Sequence, residues 1–372
     1  MKADASPIAI RLAINGRILS ESASPFARLG AAELLRLLAD SPDLDPVLVL
    51  PDDVAVPLGV EFPCRVLPRA DTVLAEAAFD HWHFPGEARR FAAQLILCLH
   101  ASAPLASPAP VVSLYGDGDS LPDPDHPGGR LARALALGGL RGAASVLRMQ
   151  DAPVEDHRLP WIDLPPIVPG VFHAEPTADD RRFAEALGLP EAYVLAAGEP
   201  EASQPLLFAA WTWVEAPLGD SFTLLIASSR RSPPGVAVEM ANRLGIGATV
   251  RALDVPDEAW PAVFRGASAL LHGGRRRNTA ALRWALASGL PVAAPSTPIT
   301  DSVLGPAGFL VPDGNSRSLG AACLTTLVED EVAGSLRARG LERAAGYRAE
   351  GARAAWLEAV NLPGSFKLPG RQ

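Results

Sequence analysis

The residues best suited to chemistry stand together in the stretch from His272 to Val292, HGGRRRNTAALRWALASGLPV. A tight turn is expected at its start, where two adjacent glycines remove the Cβ penalty: Gly273 and Gly274. Three basic residues follow directly: Arg275, Arg276 and Arg277. Guanidinium groups bind phosphate oxygens through paired hydrogen bonds, and the N–H groups at a helix N-terminus also attract anions. The stretch therefore predicts a phosphate or nucleotide site, with a solvent-exposed arginine turn as an equally good interpretation.

The elements around this turn are a strand, a helix and a second strand. An apolar run, ASALL, ends at Leu271 before the turn, and Asn278 or Thr279 is suited to cap the following helix. Four residues at helical spacing predict one buried helix face: Leu282, Ala285, Leu286 and Gly289. Gly289 also ends the helix, and Pro291 opens a buried strand. The spacing therefore predicts the site at a strand-to-helix turn of an α/β fold.

Length and composition narrow the class of protein. The 372 residues suit two domains, and 48% apolar with 20% charged residues is the balance of a globular chain. A formal net charge of −9 argues against nucleic-acid binding. Arg11 interrupts the N-terminal apolar run, so no signal peptide is expected, and no apolar stretch is long enough to span a bilayer. We expect a cytoplasmic protein without a transmembrane segment; peripheral association with a membrane stays open.

Strands alternate with helices along the chain, the pattern of parallel sheets covered on both faces. Apolar strands are predicted in each half of the chain, for example at 46–50, 95–99, 192–197 and 222–227. Residues 161–171, WIDLPPIVPGV, lack a helical period and predict the linker between two domains. The local histidine pair, His81 and His83 in FDHWHFPG, is interpreted as a partly buried strand end and not as a metal site.

Six segments resemble the family 4 retaining glycosyltransferases. They are INGR (14–17), VVSLY (111–115), VPGV (168–171), YVLAAG (193–198), ASGLPV (287–292) and FLVPDG (309–314). The resemblance implies the GT-B fold, an α/β architecture with two Rossmann-like parallel-sheet domains that face each other across a cleft. It also implies an N-terminal acceptor-side domain over 1–165, a C-terminal donor-side domain over 166–345, and a C-terminal helix with tail over 346–372 that returns to the N-terminal domain.

Functional positions of that family differ in this chain. The resemblance places the two family glutamates at Arg276 and Trp284 and the family histidine at Tyr115, while Pro25 stands in the loop that usually holds a glycine. The cations that hold the donor diphosphate fall in an uncharged triplet: Ser203, Gln204 and Pro205. Trp284 is interpreted as a packing residue. What remains of a nucleotide or phosphate site is Gly198, Gly273, Gly274, Arg275, Arg276, Arg277, Asn278 and Thr279.

Three functions are compatible with this pattern. The first is a glycosyltransferase-like protein without ordinary catalysis, which serves as partner or regulator of an active enzyme or binds a sugar or nucleotide. The second is an active nucleotide-sugar transferase in cell-surface polysaccharide or glycan synthesis, with the three arginines replacing the lost cations. The third is another GT-B reaction, such as epimerisation of a sugar nucleotide. We favour the first, and expect no cofactor or metal, the ligand left open being a nucleoside diphosphate or nucleotide sugar.

Overall fold

The computed structural model describes residues 9–20, 23–52, 54, 56, 60–68, 72–115, 121–122, 124–125, 127–149, 158–198, 204–228, 234–274 and 279–361. The chain forms two compact units, which divide between Ile167 and Val168 and again between Arg348 and Ala349. Unit 1 contains the described residues before Val168 and after Arg348. Unit 2 contains those from Val168 to Arg348.

The described part of unit 1 contains a sheet of seven strands. They are β1 (Ile10–Asn15), β2 (Leu44–Pro51), β3 (Cys64–Leu67), β4 (Leu95–Cys98), β5 (Val111–Tyr115), β6 (Ser145–Met149) and β7 (Trp161–Leu164). All pairs are parallel, and the order across the sheet is β3-β2-β1-β4-β5-β6-β7. The order changes direction between β1 and β4, which makes this pair the switch point where open α/β sheets bind ligands.

The described part of unit 2 contains a second parallel sheet, of six strands. They are β8 (Tyr193–Ala197), β9 (Thr223–Ser228), β10 (Val250–Asp254), β11 (Ala269–Leu271), β12 (Val292–Ser296) and β13 (Gly308–Pro312). The order is β10-β9-β8-β11-β12-β13, so the switch point lies between β8 and β11. The predicted architecture of two parallel α/β sheets is confirmed.

Helices cover the faces of both sheets. Those of unit 1 that precede its last strand are α1 (Pro25–Ala39), α2 (Val73–Ala78), α3 (Phe84–Arg90) and α4 (Gly129–Gly142). Those of unit 2 are α5 (Ala178–Leu187), α6 (Gln204–Leu218), α7 (Pro234–Arg243), α8 (Trp260–Gly266), α9 (Thr279–Ala287), α10 (Pro298–Leu304), α11 (Ser316–Val328) and α12 (Asp330–Ala345). The last helix, α13 (Ala349–Asn361), belongs to unit 1. None of the helices in the described ranges is both long and apolar enough to cross a membrane.

Strand burial explains why the chain forms these layers. Leu12, Ala13 and Ile14 of β1 are all fully buried, although successive side chains point to opposite faces of a sheet. Leu12 and Ile14 pack with α1 and α13 residues, and Ala13 packs in a separate cluster on the other face. In α13, Trp356 Nε1 donates a hydrogen bond to the Pro165 carbonyl oxygen at 2.9 Å. The continuous apolar runs of the sequence are therefore strands covered by helices on both sides.

One sequence interpretation is wrong, and another needs a shift of its first residue. The segment Phe79–His83 is a π-helical turn that joins α2 to α3, not a strand end. The helix continues because Thr72 caps α2 and helical geometry persists through Phe84. The first four residues of the predicted linker, Trp161–Leu164, form β7, because pairing with β6 satisfies their backbone groups.

Candidate functional site

The turn after β11 is held by one glycine and one histidine. His272 N donates to the Ala293 carbonyl oxygen at 3.0 Å, and Gly274 N donates to His272 Nδ1 at 3.0 Å. Gly274 has φ of 75°, and a Cβ added there would lie 3.1 Å from Pro295 Cγ. Both its conformation and its surroundings therefore favour glycine at this position. Because Nδ1 accepts a hydrogen bond, the neutral His272 ring carries its proton on Nε2.

The turn lies at the switch point of the second sheet. Gly198 directly follows β8, has φ of 59°, and donates its N–H to the Ala227 carbonyl oxygen at 2.8 Å. Gly273 and Gly274 follow β11, the neighbour of β8. Parallel neighbours end at the same sheet edge, so the structure brings Gly198 and the predicted glycine turn to one edge. Of the other predicted site residues, Arg275, Arg276, Arg277 and Asn278 lie outside the described residues.

The helix after the turn, α9, begins at Thr279 and is buried on every side. All nine of its residues are buried, including the charged Arg283. The spacing of apolar residues predicts one buried face, which understates the burial. The difference arises because α9 packs against α10, α12 and β12 together. Arg283 lies with its guanidinium carbon 5.8 Å from the centre of the Tyr347 ring, a cation–π contact.

Trp284 is a core residue, as predicted. Its ring stacks on Phe172 with centroids 4.1 Å apart and an angle of 20° between the planes. Phe264 meets the same indole edge-on, at 6.0 Å. An indole can donate a hydrogen bond but has no oxygen to accept one. The position that the family resemblance assigns to a glutamate therefore contributes packing inside unit 2.

The remaining family positions also carry no counterpart of the family groups. Tyr115 is buried, with its ring edge-on to Trp161 at a centroid distance of 5.5 Å. In the triplet expected to hold cations, Ser203 lies outside the described residues, while Gln204 and Pro205 open α6. These positions supply neither an imidazole nor a cation.

Unit 1 contains a buried polar cluster centred on Asp80, which the sequence analysis did not predict. The Asp80 carboxylate accepts hydrogen bonds from Arg17 Nε at 3.0 Å, Arg17 Nη2 at 2.9 Å and Asn15 Nδ2 at 2.9 Å. His100 Nε2 lies 3.0 Å from Asp80 Oδ2. Arg17 also pairs with Glu76, Nη1 to Oε2, at 3.1 Å. We name these five residues the Asp80 cluster.

The Asp80 cluster lies at the switch point of the first sheet. Asn15 ends β1, and His100 follows β4 by two residues. Asp80 itself comes from the π-helical turn, 65 residues from Asn15 in sequence. Burial raises the pKa of Asp80, but the Arg17 charge and the hydrogen bonds from His100 and Arg17 outweigh it and hold this pKa far below its usual range. Asp80 is therefore ionised, and each of its oxygens accepts two hydrogen bonds.

His81, next to Asp80, gives a testable dependence of stability on pH. Both of its ring nitrogens are buried and have no hydrogen-bond partner in the described part of the chain. Burial lowers the pKa of His81 below 6.5. The unfolded chain therefore binds this proton at higher pH than the folded chain, and stability is lost as pH falls through about 6.5. We expect His81→Gln to reduce the fall in melting temperature between about pH 7.5 and pH 5.5. An equal fall in both proteins would contradict this assignment.

Comparison with solved structures identifies the fold, whereas comparison of sequences identifies no family. No protein-family model matches the chain, and no curated protein matches it. Solved structures do match: a sucrose-phosphate synthase from Thermosynechococcus elongatus is 16% identical, over 96% of this chain and 100% of that one, with a TM-score of 0.68. The GT-B fold is therefore the fold of this chain.

Two further solved structures share the fold. HepE from Anabaena, crystallised with UDP and glucose, is 16% identical over 95% of this chain and 100% of that one, with a TM-score of 0.67. WaaG, a glycosyltransferase involved in lipopolysaccharide biosynthesis, is 12% identical over 94% of this chain and 99% of that one, with a TM-score of 0.68. At these identities the likeness concerns the fold.

Proposed function

We propose that this chain is a glycosyltransferase-like protein of the family 4 type that binds a nucleoside diphosphate or nucleotide sugar without ordinary sugar transfer. In this proposal the chain either serves as a partner or regulator of an active enzyme or itself binds a nucleotide or sugar. Two features found together after β11 support this proposal. A glycine turn suited to anions stands at the switch point, and the helix behind it has an indole where a carboxylate is expected.

The proposal that the chain binds a nucleotide rests on the position of the glycine turn. Gly198 and Gly274, both with positive φ, follow adjacent strands at the switch point. α9 has nine residues and begins at Thr279, five positions after Gly274, and the first N–H groups of a helix favour an anion. HepE, which shares the fold, was crystallised with UDP and glucose. We therefore propose the turn, with Arg275 to Arg277, as the diphosphate site.

The proposal that the chain does not transfer sugar rests on catalytic groups of the family that its sequence lacks. Removing one preorganised hydrogen-bond donor from a developing charge costs about 3 kcal/mol, roughly a hundredfold in rate. Here Ser203 and Gln204 stand where the family has cations, and Trp284 stands where it has an acceptor of hydrogen bonds. Several such losses together leave no route to donor activation of the family type.

A second candidate function is an active transferase with a rebuilt site. The observation in its favour is the run of three arginines at the turn, Arg275 to Arg277, which could offset the charge of a leaving diphosphate. Turnover measurements distinguish it from the first.

Calorimetry with UDP, GDP, ADP and their common sugars tests the binding site. We expect weak binding of at least one nucleotide, abolished in the double variant Arg276→Ala/Arg277→Ala and weakened by salt. The matched control is Arg181→Ala/Arg182→Ala, which removes the same charge from the exposed surface of α5. Equal affinities in both double variants would assign Arg276 and Arg277 to solvent and contradict the proposed site.

A further inference from the structure

The helices α6 and α11 lie side by side on one face of the second sheet. Their inner sides share one buried cluster, which contains Leu207 and Phe208 of α6 and Leu319 of α11. The Ala210 carbonyl oxygen of α6 lies so close to Gly320 of α11 that a Cβ at Gly320 would overlap with it. The two backbones are therefore in direct contact, and the two helices together present one outer face.

The outer side of these helices is apolar where a surface helix usually carries charges. α6 has one ionisable residue, Glu215, in 15 residues, and α11 has one, Arg317, in 13. A helix that is apolar on all sides is normally buried on all sides. Here the outer side is open to solvent, and an exposed apolar patch marks an interaction site. The exposed apolar and small residues, which we name the α6–α11 face, are Trp213, Ala216, Pro217, Ala321 and Val328.

Residues on this face favour a protein as the occupant. Trp213 is 46% exposed, and the Arg317 guanidinium carbon lies 5.0 Å from the centre of its ring. Tryptophan and arginine are among the residue types that contribute most binding energy at protein interfaces. A membrane fits less well, because helices that lie on membranes are rich in Lys and Arg. Here the charges of Glu215 and Arg317 cancel.

The two charges lie on opposite sides of the α6–α11 face. Glu215 Oε1 accepts a hydrogen bond from Thr249 Oγ1 at 3.3 Å, directly before β10. Arg317 belongs to α11, which packs on β12 and β13. β10 and β13 are the two edges of this sheet. A twofold axis that runs along the face, parallel to the helices, therefore places Glu215 of one copy opposite Arg317 of a second copy, twice. The face is complementary in charge to itself.

We propose that the α6–α11 face binds the same face of a second copy of this chain, so that the protein forms a twofold symmetric dimer through unit 2. Trp213 of each copy packs at the centre of the interface, and a Glu215–Arg317 pair forms on either side of it. At protein concentrations below the dissociation constant the copies are separate, and Trp213 then affects stability only through its contacts within unit 2.

Sedimentation equilibrium of the full-length protein over a wide range of concentrations tests this proposal. We expect the mean mass to rise from that of one chain to that of two. Trp213→Glu should raise the dissociation constant by about thirtyfold or more, because it places a carboxylate at the centre of an apolar interface. The control Trp82→Glu changes a tryptophan of unit 1 that is 59% exposed, and it should leave the dissociation constant unchanged.

Charge reversal distinguishes a second copy from any other occupant. Glu215→Arg and Arg317→Glu should each weaken dimerisation by about tenfold, because each variant brings two pairs of like charges together. An equimolar mixture of the two variants should form dimers again, since both contacts between unlike chains then join opposite charges. This rescue does not require the Trp213→Glu variant to fold.

Three results would overturn the proposal. They are a monomer at every concentration, a dimer that Trp213→Glu leaves intact, and a mixture of the two charge variants that stays monomeric. A monomer that binds phosphatidylglycerol vesicles, and loses this binding in Trp213→Glu, would assign the face to a membrane and also contradict the dimer. A failure of nucleotide binding in calorimetry would leave these results intact, because the face and the glycine turn are tested separately.

Discussion

Replacing Asp80 with alanine will lower the free energy of unfolding of unit 1 by about 3–5 kcal/mol. The carboxylate accepts four hydrogen bonds, from Asn15, His100 and two nitrogens of Arg17. Its removal leaves these donors buried without their acceptor, and breaking a buried ion pair costs far more than losing an exposed one. Urea unfolding, fitted for the transition of unit 1, measures the loss.

The matched control for this variant is Asp163→Ala in the same sheet. Asp163 also pairs with an arginine, Arg148, but its side chain is 49% exposed. An exposed ion pair contributes about 0–1 kcal/mol, so this variant should be close to the unmodified protein. Losses of similar size in the two variants would show that the Asp80 cluster does not stabilise unit 1 as a buried network.

Replacing Trp284 with alanine will cost unit 2 about 3–5 kcal/mol, because the indole stacks on Phe172 in a closed core. Trp284→Glu restores the residue that the family resemblance expects, but it places a carboxylate among aromatic rings and should cost at least as much. Thermal unfolding of both variants, followed by the signal of unit 2, measures the effect.

The control for Trp284 is Trp213→Ala on α6 of the same unit. Trp213 is 46% exposed and contacts Arg317, with the guanidinium carbon 5.0 Å from the ring centre. Its removal should cost about 1 kcal/mol or less. A stable, folded Trp284→Glu variant that transfers sugar would contradict both the packing role of Trp284 and the proposed loss of catalysis.

Most of the helices and strands could be predicted from local sequence patterns. Thr177 followed by Asp180 predicts the start of a helix, and α5 begins there with a capping box. α11 likewise begins after a local cap, because the Asn315 side chain accepts a hydrogen bond from Ser318 N at 2.9 Å. Such signals depend on neighbours within one turn of helix, and they are therefore visible in a single sequence.

The Asp80 cluster was not predictable in the same way. Its members come from β1, the π-helical turn and the segment after β4, and hydrogen bonds join residues 20 to 65 positions apart. FDHWHFPG shows two histidines, and the strand interpretation placed them on opposite faces. A π-helical turn has no local sequence signal of this kind, so the partners of Asp80 appear only once the strand order is known.

At the proposed nucleotide site, the glycine turn was predictable from the sequence, whereas its position beside Gly198 is visible only in the structure. Gly273 and Gly274 are visible as a glycine pair, whereas the adjacency of β8 and β11 that brings Gly198 to the same edge is a long-range property of the sheet. The sequence shows that Trp284 departs from the family pattern. It does not show that Trp284 contacts Phe172, which lies 112 residues earlier in the chain.

The most direct test of the central claim is the release of nucleoside diphosphate from the nucleotide sugar that calorimetry shows to bind. We expect the purified protein at saturating ligand to release UDP, or the corresponding diphosphate, no faster than buffer alone, because the chain lacks the family cations and carboxylates. Sustained release by the unmodified protein, lost in Arg276→Ala/Arg277→Ala and kept in Arg181→Ala/Arg182→Ala, would contradict it. That result would establish an active transferase with a rebuilt site.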